Sequence, residues 1–456
     1  MARISDEVIA EVRAVPIVDV AIALGAHPKR VGKQYLLHCP NPNHSEDTPH
    51  TYIEGNKNLF KCFGGGGCGA GGNNAISYYM WHTFGNTDKK NFLSAVKGVA
   101  ELMGIPIVYT DGRTETAKVK RTYTPIVQQE ELPAQSEVVC DKVYRAFLNL
   151  CPIRKEHAIE WMQTRQYSKD DIVTLGFRST PNAQEWVNIL SQLLSKGYPL
   201  ERVPGFVQRF IPDSYQMPMP LELMERDDER NGYWAWSLSC GVGYFIPVRD
   251  RMGRIVRLRV RCDQGKAKYI WFSSTHNIDV EKNPLQMKRN GASSGAPVNV
   301  VPPTSQIRVW EVGTGIEDIF NVSIVIGTEG EHKSIISANE IKAAVVGVPG
   351  VGNFKDVLPL LQQWGTKRFI IAYDMDSLKK DDDSVKSEKK QKNIFAKLQE
   401  FAQEVAALGI EVLLWTWDIK DGKGLDDLLQ AKKLPMEVNL RTGSRKLVNL
   451  NELYIA

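Results

Sequence analysis

Three observations predict an α/β multidomain chain. Four apolar runs, SIVIG (323–327), AAVVGV (343–348), RFIIAYD (368–374) and IEVLLW (410–415), alternate with helical stretches. That alternation is the pattern of a parallel α/β sheet with helices on its faces. Ahead of them, Arg257, Arg259 and Arg261 alternate with Leu258 and Val260, the period of a strand with one charged face. Near the N-terminus, cysteines and a histidine fall in two short clusters, as in a metal-binding knuckle. The expected organisation is an N-terminal zinc-binding module over 1–110, a linker over 111–137, and a mixed α+β basic segment over 138–305. A parallel sheet domain over 306–430 and a tail over 431–456 complete it.

The composition agrees with folded domains. The chain has 456 residues, 43% of them hydrophobic and 24% charged, enough for several cores. A net charge of +4 is too mild to imply nucleic acid by itself. Seven unevenly spread cysteines are no disulfide framework and fit a reducing, cytoplasmic compartment. Asp6, Glu7 and Glu11 precede any apolar run, and Asp19 interrupts it, so a signal peptide is not expected. No uncharged stretch reaches the length of a membrane span, and no membrane partner is expected.

Taken in order, Ser5 precedes a short helix, Pro16 opens a second and Gly25 can end it. QYLLHC (34–39) reads as a strand, and HTYIEGNKNLFKCF (50–63) as a hairpin turning at Glu54–Asn58. NAISYYMWHTF (74–84) and NFLSAVKGVAELMG (91–104) read as helices. Residues 138–230 read as mostly helical, with Ser168 and Asp171 spaced as a capping box. Residues 235–275 read as strands, and 377–392 as a charged solvated loop.

The metal pattern is Cys39-x4-His44-x17-Cys62-x5-Cys68. Zinc takes four such ligands as a tetrahedron delivered by two turns, and Pro and Gly beside each pair let the backbone curl. With all four positions filled by protein the site is structural. His38 and His50 compete with His44, and the same ligand set would also take iron. The plain alternative, buried cysteines and a surface histidine, does not account for the clustering.

Here the chain resembles a family. YLLHCPNPNHSEDTPHTYI followed by LFKCFGGGGCGAGG is similar to the CHC2 zinc ribbon of DnaG-type bacterial primases, with extra residues between both ligand pairs. The resemblance implies that the ribbon engages template DNA. It continues in WMQTRQYSKDDIVTLGFRSTPN (161–182) and in FIPVRDRMGRIVRLRVR with AKYIWFSS, and it covers residues 1 to about 430. From Arg249 to Lys268 there are eight basic and two acidic residues, so an anion such as a phosphate backbone would relieve the repulsion. A strand paired with acidic protein groups is the alternative. By position Arg261 and Lys268 match family residues that work around template and nucleotide phosphates.

RFIIAYDMDS ends an apolar run at Asp374 and Asp376, a pair suited to magnesium but equally to a solvated strand end. Glu329 in TEG lies 45 residues earlier, so the two strand ends can be neighbours. Glu-Gly at one strand end and Asp-x-Asp at another resembles the TOPRIM arrangement. Glu311 in VWEVGTG, also read as a strand end, is a rival one element too far upstream. Asp426 falls where the family has a later metal-binding aspartate. Two positions depart from the family pattern: Lys333 stands where an Asp is usual, and Gly424 where another acid often precedes Asp426. Lys333 could contact a phosphate.

The resemblance therefore implies a primase making short RNA primers on single-stranded DNA from NTPs, with structural Zn2+ and catalytic Mg2+ or Mn2+. Glu329, Asp374 and Asp376 would be catalytic, and with Asp426 would hold metal. Arg257, Arg259, Arg261, Lys268 and Lys333 would bind phosphates. No G-x4-G-K-[ST] motif occurs, so a replicative helicase is expected from another chain, and the short tail fits a plasmid, phage or mobile-element enzyme. The alternatives are a TOPRIM nuclease and a non-catalytic single-stranded-DNA-binding adaptor.

Overall fold

The computed structural model describes residues 3–31, 34–44, 48–64, 68–115, 132–215, 219–265, 267–278, 284–350, 354–375 and 385–450, without the side chains of 56, 284 and 385–395. The chain divides into two compact units, Met1–Gln129 and Glu130–Ala456. The division falls inside the stretch read as a linker.

In the first unit the Ser5 hydroxyl accepts from the Val8 amide and starts α1 (Asp6–Ala14), and α2 (Ile17–Ala23) follows. An antiparallel sheet then runs in chain order through β1 (Lys29–Val31), β2 (Gln34–Leu37), β3 (Thr51–Glu54), β4 (Leu59–Cys62) and β5 (Gly71–Gly72). The hairpin between β3 and β4 turns through Asn58, whose φ of 48° is left-handed. Its side chain accepts from Ile17 N at 2.7 Å and donates to Val15 O at 2.9 Å, tying the turn to α2. Asn74 and Ser77 form a capping box on α3 (Ala75–Phe84), and α4 (Phe92–Met103) ends at the left-handed Gly104. β6 (Ile107–Val108) and β7 (Thr114–Glu115) pair at the end of the unit. Val12, Ile17, Ile53, Phe60, Tyr78 and Val99 are among its buried core.

The second unit opens with α5 (Glu137–Leu150), α6 (Lys155–Ile159), a π-helical turn over Glu160–Thr164, and α7 (Lys169–Leu175), which carries the expected Ser168–Asp171 capping box. β8 (Arg178–Ser179) and α8 (Ala183–Ser195) follow. Beyond them the stretch read as helical turns to strand at β9 (Phe206–Pro212) and β10 (Met224–Asp227). β11 (Gly232–Leu238), β12 (Gly243–Arg249), β13 (Ile255–Cys262), β14 (Tyr269–Trp271) and β15 (Lys288–Arg289) complete two antiparallel sheets, ordered β10-β11-β9-β15 and β14-β13-β12-β8.

The largest sheet begins at β16 (Asn299–Val301). After it come α9 (Thr304–Val309) and α10 (Ile316–Ile319), so Glu311 follows a helix and not a strand, and it is exposed. Then come β17 (Ile324–Glu329), α11 (Glu331–Ile341), β18 (Ala344–Val348), α12 (Val357–Gln363) and β19 (Arg368–Ile371). α13 (Val385–Ala407) takes in the end of the charged run read as a loop. β20 (Glu411–Thr416), α14 (Leu425–Gln430), β21 (Met436–Asn439) and β22 (Arg445–Leu447) finish the sheet, so residues on both sides of 306–430 contribute strands.

The strand order is β16-β18-β17-β19-β20-β21-β22, with β18, β17, β19 and β20 mutually parallel. Successive residues of these strands feed opposite layers. Ile326, Ile370 and Leu413 join one core with Ile335 of α11 and Leu428 of α14; Val325, Phe369 and Val412 join another with Leu361 of α12 and Phe401 of α13. From β17 the chain passes to β18 on one side, and from β19 to β20 on the other. That reversal opens a crevice at the carboxyl ends of β17 and β19, the place where ligands bind in such sheets.

Candidate active site

The metal knuckle assembles from three turns of the first unit. After β2 the chain bends at Asn41, whose carbonyl accepts from His44 N at 3.0 Å while its side chain accepts from Asn43 N at 3.0 Å, bringing His44 back over Cys39. Cys62 ends β4, where Gly64 N donates to its sulfur at 3.4 Å. Pairing of β4 with β5 carries Cys68 alongside. The donor atoms of Cys39, His44, Cys62 and Cys68 all lie within 4.8 Å of one another. Cys39 Sγ is 3.5 Å from Cys68 Sγ, and Cys62 Sγ is 3.6 Å from His44 Nδ1. Those separations suit a tetrahedral zinc with Zn–S bonds of about 2.3 Å. His38 and His50 are not among the four.

At the switch point, Glu329 is the last residue of β17, half-buried, and Gly330 turns with a φ of 83° into α11. β19 lies beside β17 with Gly327 opposite Ile371, and Ala372 N donates to Gly327 O at 2.9 Å. Continued along the same register, Ala372 comes level with Thr328 and Tyr373 with Glu329, and Asp374 follows one residue further on. Burial, and then the charge of Glu329, push the Tyr373 phenol far above its ordinary range. Asp374 is buried, and the adjacent Met375 N donates to Lys423 O at 3.0 Å. Asp376 lies outside the described residues.

Two groups close the crevice. The Lys333 ammonium, in the first turn of α11, bonds both carboxylate oxygens of Asp374. Asp426, in the first turn of α14, is 3% exposed, and its Oδ1 has no partner among the described residues. Burial, and then Asp427, raise the Asp426 carboxyl above the usual range, against the opposing pull of Lys333 and Arg165. Among the described residues, the one group of acids, cysteines and histidines close enough to share an ion is the zinc quartet; Glu329, Asp374 and Asp426 are not brought together in that way.

The basic strand β13 has the expected alternation, with Leu258 and Val260 buried and the arginines half-buried. The three arginines have different surroundings. Arg257 donates to Ser294 O at 2.7 Å and reaches Cys140 Sγ at 3.7 Å. Arg259 lies 4.5 Å over its cross-strand partner Trp271 and is 3.6 Å from Glu331, the residue that starts α11. Arg261 sits opposite Tyr269, and its Nε has no partner among the described residues. Lys268 is held below the usual lysine range by burial, then by the charges of Arg261, Arg165, Lys333 and Lys423. This crowd of cations adjoins the acids, since Lys333 belongs to both groups.

Arg165 and Lys423 were not singled out in the sequence. Arg165 follows the π-helical turn, and Gln166 after it has a φ of 57°, a local irregularity of the kind that accompanies functional sites. Behind the cluster, the buried His332 accepts from Tyr167 OH at 3.1 Å on Nδ1 and donates from Nε2 to Tyr244 OH at 2.9 Å, and Tyr244 donates to Glu160 at 3.0 Å. Burial, and then Arg165, Arg261 and Lys268, hold the His332 imidazole neutral. The network fixes α11 against β12 and the π turn.

Comparison with known proteins adds an independent line. The CHC2 zinc finger family matches residues 2–115. A DNA primase of Haemophilus influenzae is 26% identical over 267 residues, 58% of this chain and 37% of that protein. One from Pseudomonas putida is 32% identical over 177 residues, 39% of this chain and 24% of its own. The matches thus span between about a quarter and just over a third of these relatives. Among solved structures, the zinc-binding and RNA polymerase domains of the Aquifex aeolicus primase align over 95% of this chain and 86% of theirs, at 18% identity and a TM-score of 0.39. Among the described residues no helix is long and apolar enough to cross a membrane. The four-ligand knuckle and the family match around it agree that the N-terminal module is a CHC2 zinc finger with a structural zinc site, and the chain is similar over part of its length to DNA primases.

Proposed function

We propose that this chain is a primase of the cytoplasm, joining ribonucleoside triphosphates into short primers on single-stranded DNA. The observation that supports the reading is the gathering of cations about Asp374 beyond the carboxyl end of the parallel strand β19: Lys333 bonds it, and Arg165, Arg261, Lys268 and Lys423 lie near that lysine. Glu329 ends β17, Asp374 lies three residues past the end of the neighbouring β19, Asp426 is buried at the start of α14, and the charges of Arg165, Arg261 and Lys333 act on Lys268.

Glu329, Asp374 and Asp426, with Asp376 assigned from the sequence, would hold a divalent cation, Mg2+ or Mn2+. When bound, that cation neutralises triphosphate charge and favours ionisation of a 3′-hydroxyl. Arg261, Lys268 and Arg165 take template and nucleotide phosphates, the like charges around Lys268 being relieved by the anion. Arg257 and Arg259, which already have protein partners, fix the strand that presents Arg261. The work of these side chains is positioning and charge stabilisation. The zinc finger engages template, and a helicase of another chain would deliver it.

Purified protein, single-stranded DNA, labelled NTPs and Mg2+ or Mn2+ test the reading. Labelled oligomers are expected, with roughly a 100-fold loss or more in Asp374→Asn. Failure to form any oligomer across templates, or undiminished product in that variant, overturns it. Cleavage of DNA without NTPs would point instead to a TOPRIM nuclease.

A further inference from the structure

The sheet β10-β11-β9-β15, which is not the sheet that bears Glu329, holds a cavity of about 180 Å3 against α8. Trp186 of α8, Trp236 of β11, Tyr215 and Leu285 line it, together with Arg209 of β9. The room comes from β11, where small side chains, Ala235 and Ser237, follow one another on one face. Tyr215 is 57% exposed and Leu285 40%, so an apolar rim lies open to water. An apolar cavity of about 150 Å3 takes benzene, and this one has room for a single aromatic or branched aliphatic side chain. Its polar groups are few. The Ser237 hydroxyl is turned to Leu238 O at 3.4 Å, and among the described residues Arg209 is the one charged group of the lining. A nucleobase would leave most of its edge donors and acceptors unpaired here, which costs free energy. A hydrocarbon side chain has none to lose.

The charge beside the cavity is one-sided. Arg209 and Lys288 are direct partners on β9 and β15, so both side chains stand on the same face. Burial, and then the charge of Arg209, hold the Lys288 ammonium below the usual lysine range. Among the described residues neither has an ion pair, whereas Arg226 and Arg289 of the same sheet each bond a carboxylate. Like charges opposite one another repel, and an acidic ligand relieves them. We propose that this cavity docks an acidic peptide segment of another protein, which seats one aromatic or large aliphatic side chain between Trp186 and Trp236 and sets its carboxylates on Arg209 and Lys288.

Fluorescence anisotropy of a labelled peptide, Asp-Asp-Phe-Asp-Glu, on the zinc-loaded full-length chain tests this. Saturable binding is expected, falling as salt is raised. Replacing the Phe of the peptide by Ser, or Arg209 of the chain by Glu, should each weaken it by roughly tenfold or more. Arg209→Glu turns a like pair with Lys288 into an opposite one, so the variant should keep the wild-type Tm. Tyr215→Ala, at the exposed rim, provides a second variant and should weaken binding as well. No saturation at peptide concentrations up to about 1 mM, equal binding of the Ser peptide, or undiminished binding to both variants overturns the proposal. Oligothymidylate that expels the bound peptide overturns it in favour of a nucleic-acid strand. A concentration-dependent dimer in sedimentation that Arg209→Glu dissociates overturns it in favour of a second copy of this chain.

Discussion

Arg259 of β13 is joined to the start of α11 through a buried pair. Its guanidinium lies over Trp271 and faces Glu331, whose side chain is 7% exposed. Burial raises the Glu331 carboxyl above the usual range, and Arg259 opposes that rise. In Arg259→Met the acid loses its counter-charge, and breaking a buried pair from one side costs roughly 3–5 kcal/mol. The sign with pH follows from linkage. An acid whose folded-state pKa lies above its unfolded value, about 4.3 for Glu, keeps its proton longer in the native state, so stability falls as pH rises through that window. Arg259→Met should therefore lose more stability relative to wild type at pH 8 than at pH 5, read from urea midpoints. An equal loss at both values would show that Glu331 is not the group left unpaired. Residue chemistry was legible where it is local. Cys39, His44, Cys62 and Cys68 declare themselves by type and spacing, because the ion needs two pairs on two turns. Arg165 did not, because its place depends on a π turn and on burial that no short motif encodes.

At the scale of elements, close approaches decide single positions. β5 passes α3 so tightly that a Cβ on Gly72 would lie 2.1 Å from Ser77 Oγ and 2.6 Å from Ser77 Cβ. Ser77 is the N3 half of the capping box that starts α3. Gly72→Ala should displace it, costing about 1–3 kcal/mol for the overpacking and loosening the cap. Chemical denaturation of the zinc-loaded chain checks this, and an unchanged midpoint would mean that the strand shifts freely. The strong periodic elements were readable, including the hairpin at 51–62, the four parallel strands and the arginine strand. Two misreadings have physical causes. VWEVG looks like a strand end, yet Thr304–Val309 is helical after Pro303, which caps it in extended conformation. FVQRFIP lies in a region of helical segments, but β9 is made by pairing with β11 and β15, partners distant in sequence. The strands that lead to Glu329 and Asp374 were legible because each is an apolar run, and the two lie side by side and parallel. What the sequence could not convey is that Lys333 reaches Asp374, since this contact joins α11 to the chain beyond β19, 41 residues on, and no local pattern encodes it.

For the whole molecule, the division into Met1–Gln129 and Glu130–Ala456 has a thermal consequence. The edges of the large sheet were not foreseen, because β16, β21 and β22 are three or four residues long and too short to show a period. The first unit is different: its core and its metal site are both local in sequence. Its four ligands come from the turn after β2, the end of β4 and the loop before β5, so one ion staples three parts of the sheet. Metal binding to sites absent from the unfolded chain is folding energy, about 10–16 kcal/mol in zinc-finger peptides. Here α1 to α4 give the unit a hydrophobic core of its own, so the metal-free unit should be weakened rather than abolished. Loss of only a few kcal/mol lowers the Tm of a domain of about 100 residues by on the order of 20 °C. Zinc removal by a chelator under reducing conditions should therefore shift one calorimetric transition by about that much, while a second, belonging to the larger unit, moves by no more than about 2 °C. Restoring Zn2+ should return the first transition, and Cys62→Ser should reproduce the chelated profile without chelator. One transition that ignores both treatments would mean that the ion adds nothing to the fold, and that Cys39, His44, Cys62 and Cys68 are brought together by the sheet alone.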